Sequence, residues 1–280
     1  MTGGMGALAG PGSQPEDFDG GKLEYMVMPD GMTVFSASNV PEPEDAASHR
    51  EGVRVAEAIL AALGNGCDGG TRIDLTHLDE GNLAFVDQML GEGEVSVVAG
   101  DRLQAQESVL AGVWRIREFD DEGRRSSDYV ECGAFPSAAL DLASVGVADA
   151  ARLPMDERTN IFNAPPLVAE INEHVPQSDD EGAEPHVINL SLLPHTEEDL
   201  DFLDVAMGRG KVVILSRGYG NCRIRSTGTR NCWWVQYFNS QDTLILNSIE
   251  ISRIPEVALA ASEDLADSAE RLAEILDIYR

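Results

Sequence analysis

Four cysteines and five histidines are the side chains best suited to metal or redox work, and their spacing argues against both. Cys67, Cys132, Cys222 and Cys232 form no Cys-x-x-Cys pair, the spacing that structural zinc and dithiol sites use. His49, His77, His174, His186 and His195 show neither His-x-x-x-His nor His-Glu-x-x-His, so each reads as a surface or internally satisfied histidine. Gly218-Tyr219-Gly220 follows an apolar run that predicts a strand, which invites a nucleotide reading. A dinucleotide turn needs a third glycine at 223, where Arg223 stands, and Cys222-Arg223-Ile224-Arg225 reads as strand rather than a phosphate-holding helix start. Gly210-Lys211 lacks the rest of a P-loop, and no Gly-x-Ser-x-Gly is present. These residues imply no catalytic set, no metal and no cofactor. One opening remains. Cys222 and Cys232 can face each other across a hairpin, where Arg223 and Arg225 would lower a thiol pKa. Two thiols make an incomplete metal site, and an ordinary buried cysteine is the better reading.

The chemistry that does stand out is non-covalent. Between Asp204 and Asp242 there is no Asp or Glu, in a chain with 49 acids. That window holds Arg209, Lys211, Arg217, Arg223, Arg225 and Arg230 and ends in Cys232-Trp233-Trp234-Val235-Gln236-Tyr237-Phe238. Arginine and tryptophan dominate desolvated interfaces, and arginine forks onto carboxylates. The predicted partner-binding residues are Arg217, Gly218, Tyr219, Gly220, Cys222, Arg223, Arg225, Trp234 and Tyr237. Adjacent strand residues point to opposite faces, so Trp233 is expected in the core and Trp234 at a contact. The competing expectation is that these arginines pair with the chain's own acids. RNA binding through the same strand is opposed by the whole-chain charge of −29.

An internal repeat supplies the elements that position these residues. Ile73-Asp74-Leu75-Thr76 matches Ile188-Asn189-Leu190-Ser191, followed by two extra residues in the second copy. An offset of 117 then pairs Leu83, Val86 and Leu90 with Leu200, Leu203 and Met207, and Gly91 with Gly208; an offset of 119 pairs Trp114 with Trp233 and Phe135-Pro136 with Ile254-Pro255. Met32-Thr33-Val34-Phe35 loosely matches Thr159-Asn160-Ile161-Phe162. Each copy predicts a helix, a short strand, a second helix ending at Gly91 or Gly208, a buried strand (Val95–Ala99 or Val212–Leu215), two further strands and a helix opened by Pro136 or Pro255. Thr196-Glu197-Glu198-Asp199 predicts a capping box. Leu265, Ala269, Leu272 and Leu276 stripe a final helix expected to pack within its own chain. The fold class is α/β (α+β), with two tandem diverged copies of a mixed-sheet unit and flanking helices. The divisions are a tail over 1–22, a first repeat over 23–150 and a second over 151–280. The 280 residues hold no apolar run long enough for a membrane span and no signal peptide at the start, and the pI is about 4.3. Nucleic acid and membrane insertion are therefore not expected, and a cytoplasmic protein with reduced thiols is.

The run Ser216-Arg217-Gly218-Tyr219-Gly220-Asn221-Cys222-Arg223-Ile224 is similar to the HupH/HyaF/HoxQ hydrogenase expression proteins. Trp234-Val235-Gln236-Tyr237-Phe238-Asn239-Ser240-Gln241-Asp242 and Ile254-Pro255-Glu256-Val257-Ala258 continue the resemblance. It is strongest over 186–276 and weak in the first copy. The resemblance implies an accessory protein or chaperone for an uptake nickel–iron hydrogenase. Its partners would be the precursor of the iron–sulfur small subunit, assisted before export, and other maturation proteins. An iron–sulfur or redox carrier using Cys222 in the same pathway is the alternative.

Overall fold

The structure, a computed structural model, describes residues 40–67, 70–155, 158–180, 182–218 and 220–279. The expected tail over 1–22, the Met32–Phe35 match and Tyr219 lie outside these. The first copy runs α1 (Pro43–Ser48), α2 (Arg50–Gly64), β1 (Thr71–Asp74), α3 (Glu80–Leu90), β2 (Val95–Ala99), β3 (Leu103–Glu107), β4 (Val113–Phe119), β5 (Arg125–Cys132) and α4 (Ser137–Ser144). The second runs α5 (Ala164–His174), β6 (His186–Asn189), α6 (Glu197–Met207), β7 (Arg209–Ser216), β8 (Asn221–Thr227), β9 (Cys232–Phe238), β10 (Leu244–Ile251) and α7 (Ser262–Ile278).

The ten strands of the described residues join one sheet in the order β1-β5-β4-β3-β2-β7-β8-β9-β10-β6, so the second half repeats the first in mirror order. The copies meet where β2 runs antiparallel to β7, from Val95 opposite Ser216 to Ala99 opposite Val212. Every ladder is antiparallel where a mixed sheet was expected, with one isolated parallel bridge between Ala148 and Thr229. Four successive strands in each copy follow one another through short turns, and such connections reverse direction. The strand read at Cys222–Arg225 forms as Asn221–Thr227, and its match in the first copy, Leu103–Glu107, which was not expected, also takes a place in the sheet, so each copy contributes five strands among the described residues. The buried and half-buried alternation of Leu103–Glu107 is the period-two signature of a strand.

Repeat positions keep their contacts. The indole N–H of Trp114 donates to Gly133 O at 2.9 Å, and that of Trp233 to Ser252 O at 3.0 Å; both residues sit in one core that spans the β2–β7 junction. Gly91 and Gly208 end α3 and α6 in the positive-φ region. The capping box forms at Thr196 and Asp199, and Asp199 also accepts from Phe162, Asn163 and Ala164 N–H, fixing the start of α5.

Both faces of the sheet are covered. One carries α2, α3 and α7 over the first copy and α5 and α6 over the second. The other carries α4, whose Ala139 joins the junction core. The helix expected after Pro255 is only a single 3-10 turn, Glu256–Ala258. α4 already packs on β2 and β7, and Ala260 N–H instead bonds to Ala134 O in the first copy. The chain then enters α7, whose Leu272 and Leu276 are buried against the first copy, within the chain as expected.

Candidate interaction surface

The β8–β9 ladder sets opposite each other the residues expected to bind a partner: Arg225 faces Trp234, Arg223 faces Gln236 and Cys222 faces Tyr237. Strand alternation divides them. Trp234 belongs to the core beneath α5 and α6, whereas Cys222 and Tyr237 lie with the junction core on the opposite side. They do not form one surface.

Trp234 is wholly buried, and its indole donates to Asn247 Oδ1 at 2.6 Å. Arg225 is buried over that ring, 5.8 Å from its centroid, and binds Asp204 on α6 at 2.5 Å. The expectation of a contact through Trp234 and Arg225 is therefore corrected: helices cover both faces of the sheet, so either direction from β9 leads inward. Arg223 keeps 17% of its side chain exposed, stacks over Phe238 at 4.2 Å and binds Asp242 at 2.5 Å. The chain's own carboxylates neutralise this part of the cationic window.

Cys222 is buried, and burial pushes its thiol up to about 12, with a bond from Tyr237 only partly offsetting this. The thiolate that Arg223 and Arg225 were expected to favour does not form near neutral pH, and burial likewise raises the Tyr237 hydroxyl. Cys232 is buried on the other face, its thiol also pushed to about 12 by burial. The two cysteines are separated by the sheet, which removes the geometric basis for a redox or cluster site on Cys222. Among the described residues, no group of three His, Cys, Asp or Glu is placed to hold a metal ion, and no helix is long and apolar enough to cross a membrane.

What stays accessible is the turn between β7 and β8. Arg217, Gly218 and Gly220 are exposed, and Arg217 N–H anchors the turn to Glu94 O at 3.1 Å across the β2–β7 junction. Arg217 makes no ion pair with a described residue. Gly220 has φ +114°, a conformation that favours glycine.

A second surface went unpredicted, although the repeat held its signal. Register places Arg72 of β1 opposite Glu131, and Val187 of β6 opposite Glu250. One copy thus pairs a cation with its edge carboxylate where the other presents an apolar side chain.

The model of the HupH hydrogenase expression protein, C-terminal conserved region, matches residues 54–155 and again 161–279. The chain belongs to this family. The double match places both copies in it, including the first, where the motif resemblance was weak. The chain is 46% identical over 277 residues to the hydrogenase expression/formation protein HoxQ of Cupriavidus necator, covering 96% of this chain and 95% of that protein. It is 44% identical over 276 residues to HupH of Rhodobacter capsulatus, covering 97% and 96%. The hydrogenase-1 operon protein HyaF of Escherichia coli shares 37% identity over 207 residues, covering 72% and 71%. A solved structure, hydrogenase expression protein HupH from Thiobacillus denitrificans, matches 40% of this chain and 92% of its own at 31% identity, with a TM-score of 0.37.

Proposed function

We propose that this chain is a non-catalytic accessory protein in hydrogenase maturation, which holds the precursor of the iron–sulfur small subunit of an uptake nickel–iron hydrogenase in the cytoplasm before export. The observation that carries this reading is kinship along about 95% of both chains with proteins named for hydrogenase expression and formation. A ten-stranded sheet clad on both faces suits a holding role, because it presents turns and edges on a packed scaffold rather than a catalytic cleft. Docking in this reading uses the β7–β8 turn, through Arg217, Gly218, Tyr219 and Gly220, with Arg223 and Tyr237 at its margin. Other maturation proteins share the same assembly.

Affinity capture from cells making the hydrogenase, read by mass spectrometry, tests it. The small-subunit precursor should be recovered with the wild-type chain and reduced at least fivefold with Arg217→Glu. Recovery of the large subunit alone would remove the small-subunit assignment. Absence of every hydrogenase component would remove the maturation reading.

A further inference from the structure

The two ends of the sheet are matching positions of one repeat, and they are finished differently. At the β1 end, Arg72 and Asp74 are exposed and charged, the usual guard against further strand pairing. Arg72 lies 3.6 Å from Glu131, a carboxylate that also accepts from Ser137 N–H and Oγ. At the β6 end, Val187 and Asn189 stand where Arg72 and Asp74 stand. Val187 is 53% exposed, and β6 contains no Lys, Arg, Asp or Glu. Its outer edge bonds to no other described segment.

The carboxylate has stayed although its cation has gone. Glu250 faces Val187 in register, accepts from Ser252 Oγ at 2.8 Å, and has no Lys, Arg or His acting on it among the described residues. Burial, with no cation to offset it, holds its carboxyl above the ordinary range. Asp74 is satisfied by Thr76, whereas the Oδ1 of Asn189 is buried without a hydrogen-bond partner. A cavity of about 480 Å³ opens at the His186 end of the strand, with Asp180 and Glu184 in its wall beside the stacked His174 and His186, and with no Lys or Arg. Beyond the other end, the extra loop of the second copy exposes Leu192 (80%), and Phe162 (68%) is exposed on the segment whose Asn163 Nδ2 donates to Pro194 O of that loop.

We infer that β6 receives an extended segment of a partner polypeptide as an eleventh strand, and that a long Lys or Arg side chain of that segment reaches over Val187 to Glu250, one strand further than Arg72 reaches to Glu131. Main-chain bonds to the open edge give the affinity, and the vacant cation position and acidic surroundings select a basic segment. The inference deepens the maturation reading by naming a second docking element, but peptide binding tests it alone.

The probe is a fluorescent, acetylated Thr-Val-Arg-Val-Thr peptide titrated into the full-length protein, with hydrogen exchange read at β6. Binding should slow exchange of the outward β6 amides. It should weaken at least tenfold when glutamate replaces the peptide's arginine, when alternate peptide amides are N-methylated, or in Val187→Arg, which supplies the cation in cis. Glu250→Gln should erase the preference for arginine over norleucine. Arg72→Val with Asp74→Asn should raise the stoichiometry from one towards two. Binding indifferent to N-methylation or to Val187→Arg overturns the inference. So does a dimer of the free protein dissolved by Val187→Arg, which gives the edge to a second copy. Slow β6 exchange in the free monomer also overturns it, since the chain's own residues 1–39 would then cover the edge. If small-subunit capture fails while the peptide binds as expected, the maturation reading falls and the edge remains.

Discussion

Asp87 on α3 and Asp204 on α6 are matching residues of the repeat, and each ties its helix to the sheet through a buried arginine. Asp87 holds Arg115 of β4, which also binds Asp128, while Asp204 holds Arg225 of β8. The arginine has moved one strand over between copies, and Trp234 fills the place that Arg115 has in the first. This is why the acid-free window of the second copy reads as a surface in the sequence: the acid that completes it lies at its very boundary, on a helix facing the strand. Removing one member of a buried pair costs about 3–5 kcal/mol, whereas replacing both by apolar groups is often neutral. Asp204→Ala should therefore lower stability to urea by that amount, and Asp204→Leu with Arg225→Met should be more stable than Asp204→Ala. Glu107 makes the opposite point, since its match, Ser226, is uncharged. Burial, with Glu94 and Asp264 nearby, pushes its carboxyl up to about 7, against a bond from Gly112 N–H. A carboxyl raised on folding binds more protons folded than unfolded, so its stabilisation is complete below about pH 4.5 and is lost as pH rises to about 7. The wild type should thus lose about 3 kcal/mol relative to Glu107→Gln across that range. A difference between the two that does not vary with pH would refute this.

Elements with strong local signals were legible in the sequence: the Gly91 and Gly208 helix ends, the capping box at Thr196, and the opposite directions of Trp233 and Trp234. What no local pattern states is which element covers which. The stripe on α7 correctly announces an apolar face, yet not that the helix closing the second copy is laid over α2 of the first. Likewise Pro255 resembles Pro136, but α4 already fills the space that a second such helix would need. Leu272 and Leu276 join the core of α2 and α3 with almost no exposure. Truncating a fully buried leucine costs about 2–5 kcal/mol. Leu272→Ala should fall in that range by urea denaturation and should speed hydrogen exchange in α2, a helix more than 200 residues away in sequence. Unchanged exchange in α2 would mean that α7 does not hold it.

At the scale of the molecule, duplication usually yields two units able to open separately, and chains of this size commonly unfold in steps. The junction argues otherwise. β2 and β7 share a five-residue ladder, one core contains Val97, Trp114, Val212, Ile214 and Trp233, α4 reaches across to β7, and α7 returns to α2. Opening either copy would bare apolar surface on the other, so the cost of opening is shared. Tryptophan offers a clean reading, because Trp114 lies in the first copy and Trp233 and Trp234 in the second. In Trp114→Phe all indole fluorescence comes from the second copy while the lesion sits in the first. Independent copies would leave the fluorescence midpoint at its wild-type value and split the far-UV circular dichroism transition in two. A shared sheet requires that fluorescence and dichroism shift together, to one lower midpoint, as the denaturation of a single cooperative unit.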